Sequence, residues 1–342
     1  MQLKLALVGF GSTGRAFARL LLEKREELWK RYQFSFTVTG IATGSHGSAI
    51  DPKGISLPSA LKRMEAGKDL AKLHRGLPVR DTHDFIRRRP ANVIFELTPL
   101  NPWTGIPAVD YVREALEREM HVVTANKGPV AVAYRELREL ARAKRRHFRF
   151  EGTVLDGAPV FNLVEKTLPG ARILSFHGIV NSTCNFILTE MERGRRFKDA
   201  LAKARRLGIT EADPSYDVEG WDAAAKTAVL ANVLLDSPLR SSDVSRMGIG
   251  AVDERMLVDA RRQGKSLRLV ARAVRRGHQV TARVAPELLP FSHPMAHVTG
   301  TSNALAIETD TMKTLTLIEE APGVEQTAYA LLSDLLAIVR ER

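Results

Sequence analysis

Residues 3–14, LKLALVGFGSTG, decide the fold. The run 3–8 is apolar enough for a buried strand, and Gly9-Phe10-Gly11-Ser12-Thr13-Gly14 interrupts it. Ala16, Phe17, Leu20 and Leu21 then recur at helical spacing. A strand, a tight turn and a helix in that order have a mechanical use. Gly9 permits the turn, Gly11 lets the main chain approach a pyrophosphate, and Gly14 allows close helix packing, with the helix N-terminus facing the anion. A glycine-rich turn without a ligand is the plainer alternative, but correct flanks on both sides weigh against it.

Working outward, FTVTGIAT (36–43), ANVIFELT (91–98) and HVVTAN (121–126) read as further strands. The last two precede the helical stretches PAVDYVREALERE and AVAYRELRELARAKR. Strands alternating with helices argue for a parallel, doubly wound Rossmann-type sheet. HFRFEGTV (147–154) reads as one more strand, and a helix is expected near Gly157-Ala158-Pro159, where proline suits a first turn. From 171 the alternation loosens, and SLRLVARAVRR and HQVTARVAPELL form two strands split by Gly277. The fold expected is therefore α/β: a dinucleotide-binding domain over 1–150, completed by 320–342, and a mixed α+β substrate and dimerisation domain over 151–319.

Composition narrows the function class. The chain has 342 residues, one cysteine, 44% hydrophobic and 26% charged residues and a net charge of +12. That length suits two domains, and no apolar run reaches the roughly 20 residues that span a bilayer. A lone Cys184 offers no intrachain disulfide, which fits a reducing, cytoplasmic setting without a targeting signal. Positive charge alone would admit a nucleic-acid partner. The clusters Arg87–Arg89 and Lys144–Arg146 lack interleaved aromatics for base stacking, so neither nucleic acid nor membrane is the expected partner.

Between Glu27 and Asp51 the sequence has no carboxylate. A site for NAD normally places an acidic residue at the end of the second strand, against the ribose hydroxyls. Its absence favours NADP, with NAD as the alternative; Ser45 and His46 of ATGSHG could meet a 2′-phosphate or simply form a polar loop.

A second stretch, ADPSYDVEGWDAAAKTAVLANVLL (212–235), carries Asp213, Asp217, Glu219, Asp222 and Lys226 and then turns apolar nearly all round. Asp222 and Lys226 are four apart and share a helical face. A buried ion pair is a poor device for stability, which points to function, although a structural salt bridge or a snorkelling lysine would show the same spacing.

LGITEADPSYDVEGWDAAAK (207–226), GIVNSTCNFIL (178–188), TANKGPVA (124–131) and GTSNALAI (300–307), with GFGSTG, resemble the homoserine dehydrogenase family in its motif order and over nearly the whole chain. The resemblance is to the short form, without a fused aspartokinase or C-terminal regulatory domain. It implies NAD(P)-dependent interconversion of L-aspartate 4-semialdehyde and L-homoserine, on the route to threonine, methionine and isoleucine, by a homodimer. Other readings on the same fold are an NADP-linked reductase for another aldehyde or ketone, and a dinucleotide-binding protein without catalysis.

By the same resemblance Lys226, with Asp222 beside it, serves the proton transfer, and Lys127 touches cofactor and substrate as a second candidate. Glu211, Asp217 and Asp222 bind substrate, Glu211 taking its ammonium. Thr98 and Gly323 join Gly9, Phe10, Gly11, Ser12, Thr13, Gly14 and Lys127 at the cofactor. Ala321 stands where the family usually has another glycine. EGTVLDGAP (151–159) resembles a loop that holds a monovalent Na or K ion through main-chain carbonyls, matching Glu151, Val154, Asp156 and Ala158. Cys184 falls at a variable position of its motif and is expected to be a buried small hydrophobe rather than a nucleophile.

Overall fold

The computed structural model describes residues 2–88, 90–210 and 213–341. They divide into two compact units, 1–159 with 323–342, and 160–322.

In the first unit β1 (Gln2–Val8), β2 (Ser35–Ala42), β3 (Ser48–Ile50), β4 (Val93–Glu96), β5 (His121–Thr124) and β6 (Phe148–Arg149) form a sheet of order β3-β2-β1-β4-β5-β6. All neighbours are parallel except β3, which runs antiparallel to β2. The chain turns outward in both directions from β1, so β1 and β4 flank the switch point at whose carboxyl edge such sheets bind ligands. Val8, Glu96 and Thr124 lie in one register there.

Burial of the apolar strand face holds this edge in place. Leu5, Leu7, Phe17 and Phe95 are fully buried, and the Phe17 and Phe95 rings stand 4.5 Å apart. Leu331, Leu335 and Ile338 of the helix Val324–Arg340 enter the same core, each side chain contributing about 1.5–3 kcal/mol by its burial. The last helix is thereby an integral layer of the first unit. One strand is shorter than its sequence suggests: of 147–154 only Phe148–Arg149 pairs with β5. Beyond it the Glu151 N–H turns to Asp334 at 2.8 Å and Thr153 N donates to Phe150 O at 3.1 Å, closing a 3₁₀ turn. Pro159 immediately precedes the helix Val160–Thr167.

The second unit holds β7 (Ile173–Ile179), β8 (Ser245–Arg246), β9 (Lys265–Arg276), β10 (Gln279–Pro290), β11 (Asn303–Thr309) and β12 (Lys313–Glu319), in the order β12-β11-β7-β9-β10-β8. Gly277, at φ +59°, lets β9 turn into β10. Helices Ser182–Glu192 and Trp221–Leu234 pack against β9. The second of these buries Ala223, Ala224, Ala225, Ala228, Val229 and Leu230, the all-round burial that its apolar composition requires. Among the described residues no helix is long and apolar enough to cross a membrane.

Candidate active site

The glycine turn opens onto a cleft of about 630 Å³ in the first unit, lined by Gly9 to Arg15, Thr43 to His46, Met64 and Leu97 to Pro99. Each glycine has its own reason. Gly9 sits at φ +101°, and a Cβ there would lie 2.3 Å from Leu97 O; one on Gly14 would lie 2.7 Å from Gly9 O. A Cβ on Gly11 would meet nothing within 4 Å and would project into open space, where a phosphate must approach. Gly11 caps the helix Ser12–Glu23, whose first turn holds no acidic residue, so the positive end of the helix dipole is uncompensated there. These residues fit a dinucleotide. Among the described residues Arg15, to which the sequence assigns no role, is the one arginine or lysine of the cleft lining.

Thr98 follows β4 into this cleft. Lys127 opens the helix Lys127–Ala143, whose cap Asn126 accepts from Gly128 N at 2.9 Å and donates through Nδ2 to Thr98 O at 3.1 Å. The two sequence-predicted positions are thus joined by one side chain. Gly323 caps the helix Val324–Arg340, its N–H donating to Gln326 Oε1 at 2.9 Å. In the turn 151–158 Glu151, Val154 and Ala158 are buried, Asp156 takes φ +41°, and its Oδ1 accepts from Thr327 Oγ1 at 3.3 Å.

In the second unit the helix Trp221–Leu234 carries Asp222 and Lys226, whose Oδ2 and Nζ are 3.4 Å apart with both side chains 12% exposed. Lys226 Nζ also donates to Val180 O at 2.8 Å, so the amine is fixed from two sides. Asn181, next in the chain, gives its two amide hydrogens to Asp217 Oδ1 at 2.8 Å and Asp222 Oδ2 at 2.9 Å. Its Oδ1 caps the helix Ser182–Glu192 by accepting from Cys184 N at 2.7 Å. Asn181 stands within GIVNSTCNFIL, and its position before a helical run is the sequence signal for this cap.

Burial, and then the charge of Asp222, hold the Asp217 carboxyl above the usual carboxylate range, against the lowering effect of Asn181. Burial followed by the same two aspartates, Asp222 first, raises the Tyr216 phenol, whose buried oxygen has no hydrogen-bond partner among the described residues. Cys184 is fully buried, donates to Asp217 O at 3.2 Å and has its thiol pushed well up by burial, which leaves it a poor nucleophile. Asp213 accepts from Ser215 N at 3.0 Å and shapes the turn before Asp217. Glu211 lies outside the described residues.

A dinucleotide cleft at a switch point, and a separate unit whose buried lysine is paired to a carboxylate, define a nicotinamide-dependent oxidoreductase that acts on a CH–OH group. The family model "Homoserine dehydrogenase, NAD binding domain" matches residues 9–151, and "Homoserine dehydrogenase" matches 159–336. The chain belongs to the homoserine dehydrogenase family, enzymes of amino-acid biosynthesis that interconvert L-aspartate 4-semialdehyde and L-homoserine. It is 39% identical to the NAD(+)-dependent homoserine dehydrogenase of Pseudomonas canavaninivorans, over 98% of this chain and 96% of that protein. It is also 39% identical to the homoserine dehydrogenase of Methanocaldococcus jannaschii, over 97% of each. The crystal structure of a homoserine dehydrogenase from Thiobacillus denitrificans is similar at a TM-score of 0.84 and 30% identity, covering 99% of this chain and 74% of that one.

Proposed function

We propose that Lys226 is the proton donor of aldehyde reduction and that Asp222 holds its amine in place. When bound, the dinucleotide supplies the hydride to the aldehyde carbon. The aldehyde oxygen gains negative charge in that step, and a positioned ammonium must neutralise it. The observation that carries this reading is the Lys226 amine, tied to Val180 O at 2.8 Å and to Asp222 at 3.4 Å on a helix buried nearly all round. Glu211 takes the substrate's ammonium, Asp217 and Asp222 complete the substrate site, and Lys127, whose helix cap Asn126 bonds Thr98 O, contacts cofactor and substrate. The test is oxidation of NADPH with L-aspartate 4-semialdehyde against a panel of related aldehydes. Equal turnover across the panel would favour a general aldehyde reductase, and binding without turnover a dinucleotide sensor.

NADP is the proposed coenzyme, because the described residues lining the cleft include Arg15 and no carboxylate. The proposed form is a cytoplasmic homodimer. β12 supports self-association: it is an edge strand whose residues are all exposed or half-exposed, Ile318 at 49%, and such edges invite pairing. A monomer by light scattering would overturn that. The turn carrying Glu151, Val154, Asp156 and Ala158 is proposed to bind Na or K through main-chain oxygens, which an activity unchanged by replacing both ions with a bulky organic cation would contradict.

A further inference from the structure

Glu96 is the last residue of β4, 2% exposed, and no step of the chemistry uses it. Its carboxylate sits at the centre of a closed ring of hydrogen bonds. Oε1 accepts from Thr98 N at 2.9 Å and from Thr98 Oγ1, and Oε2 accepts from Thr124 Oγ1 at 2.8 Å. Thr124 Oγ1 in turn accepts from Asn126 N at 2.9 Å, and Asn126 Nδ2 returns to Thr98 O at 3.1 Å. The ring ties the carboxyl ends of β4 and β5 together at the point where Glu96 and Thr124 are register partners. Two residues of the site hang from it: Thr98 in the dinucleotide cleft, and Lys127, which follows Asn126 and begins its helix under that residue's cap.

A buried carboxylate costs free energy, and burial is the leading influence on Glu96, raising its pKa above the usual range. An apolar residue would fill a central parallel strand at lower cost, as its neighbours Val93, Ile94 and Phe95 do. A carboxylate offers what they cannot: several acceptor lone pairs, enough for two donors from one strand end and one from the next. We infer that Glu96 is a positioning residue for dinucleotide binding, holding Thr98 directly and the start of the Lys127 helix through Thr124 and Asn126. The inference rests on the dinucleotide occupying the glycine-turn cleft.

The test uses the full chain and three variants, Glu96→Ala, Glu96→Gln and Thr124→Val. The Kd of the reduced dinucleotide is measured by nicotinamide fluorescence in the absence of substrate, beside the KM for the aldehyde and the melting temperature. Removing two or more hydrogen bonds from the ring should raise the Kd of Glu96→Ala at least about tenfold. Glu96→Gln, whose carbonyl still accepts from Thr98 and whose amide can donate to Thr124, should recover most of it, and Thr124→Val should fall between. The aldehyde KM, measured at saturating dinucleotide, should rise beside the Kd in Glu96→Ala, because Lys127, whose helix start depends on the ring, is proposed to contact substrate as well. If Glu96→Ala does not fold, the other two variants decide. Wild-type Kd in every folded variant, or a Kd that only follows loss of melting temperature, overturns the inference. Failure of the wild-type chain to bind any dinucleotide overturns instead the cofactor reading beneath it.

Discussion

Asp217 and Asp222 are joined through a single amide, the Nδ2 of Asn181, at 2.8 and 2.9 Å. Two carboxylates this close, Asp222 buried and Asp217 partly so, repel, and the amide lets both stay near Lys226. Asn181 lowers the Asp217 pKa, whereas burial and Asp222 raise it. In Asn181→Ala that lowering hydrogen bond is lost while Thr183 and Lys226 still act in the same sense, so Asp217 should take up its proton at higher pH than in the wild type. The acid limb of the kcat/KM profile should then move to higher pH, and the lost helix cap should cost about 1 kcal/mol of stability. An acid limb at the wild-type position would show that Asp217 does not control it. The stability sign follows separately. A carboxyl whose folded pKa is raised binds more protons in the folded state, so its contribution falls as pH rises from the ordinary aspartate value through the raised one.

Lys226→Ala removes the amine held by Val180 O and Asp222. Turnover should fall by roughly 10²–10⁴-fold, the usual worth of a positioned proton donor. The dinucleotide Kd should stay near wild type, since Lys226 belongs to the other unit. The buried Asp222 loses its cationic neighbour in this variant, so melting temperature is read in parallel. A variant that is folded and turns over normally would remove Lys226 from the mechanism.

Local patterns were legible in the sequence and distant convergences were not. GFGSTG announced itself because strand, turn and helix are contiguous, and the Asp222–Lys226 pair because helical spacing places residues four apart together. Asn181 reaches Asp217 and Asp222 from 36 and 41 residues away, a juxtaposition made by tertiary packing alone. Glu96 is one acidic letter in VIFELT, and its partner Thr124 stands 28 residues on. The strand expected over 147–154 ended early because the Glu151 N–H finds Asp334, a residue of the last helix.

Coenzyme choice follows from charge in the cleft. Ser45 Oγ lies 2.8 Å from His46 Nδ1 on the loop after β2, Arg15 lines the same cleft, and no acidic side chain among the described residues does. The kcat/KM ratio should therefore favour NADPH over NADH. Ser45→Asp would place a carboxylate where NAD-specific sites carry one, and should lower the NADPH preference by at least about tenfold through like-charge repulsion. A strong NADH bias in the wild-type chain would show that the missing carboxylate does not set the choice.

The glycine turn separates folding from binding within three residues. Gly9→Ala forces a side chain into the φ +101° conformation and against Leu97 O at 2.3 Å, so it should lower the melting temperature as well as dinucleotide affinity, the backbone strain alone costing on the order of 1–3 kcal/mol. Gly11 has ordinary φ of −73°, in an extended conformation, and open space before it. Gly11→Ala should therefore fold with a melting temperature close to wild type, because its backbone is one alanine adopts without strain. The added methyl points where the pyrophosphate must come, so dinucleotide Kd should rise at least about tenfold. Calorimetric melting and fluorescence titration of the two variants read these outcomes independently. If Gly11→Ala binds as wild type does, the phosphates do not approach the main chain at Gly11, and the cofactor placement drawn from the turn is wrong.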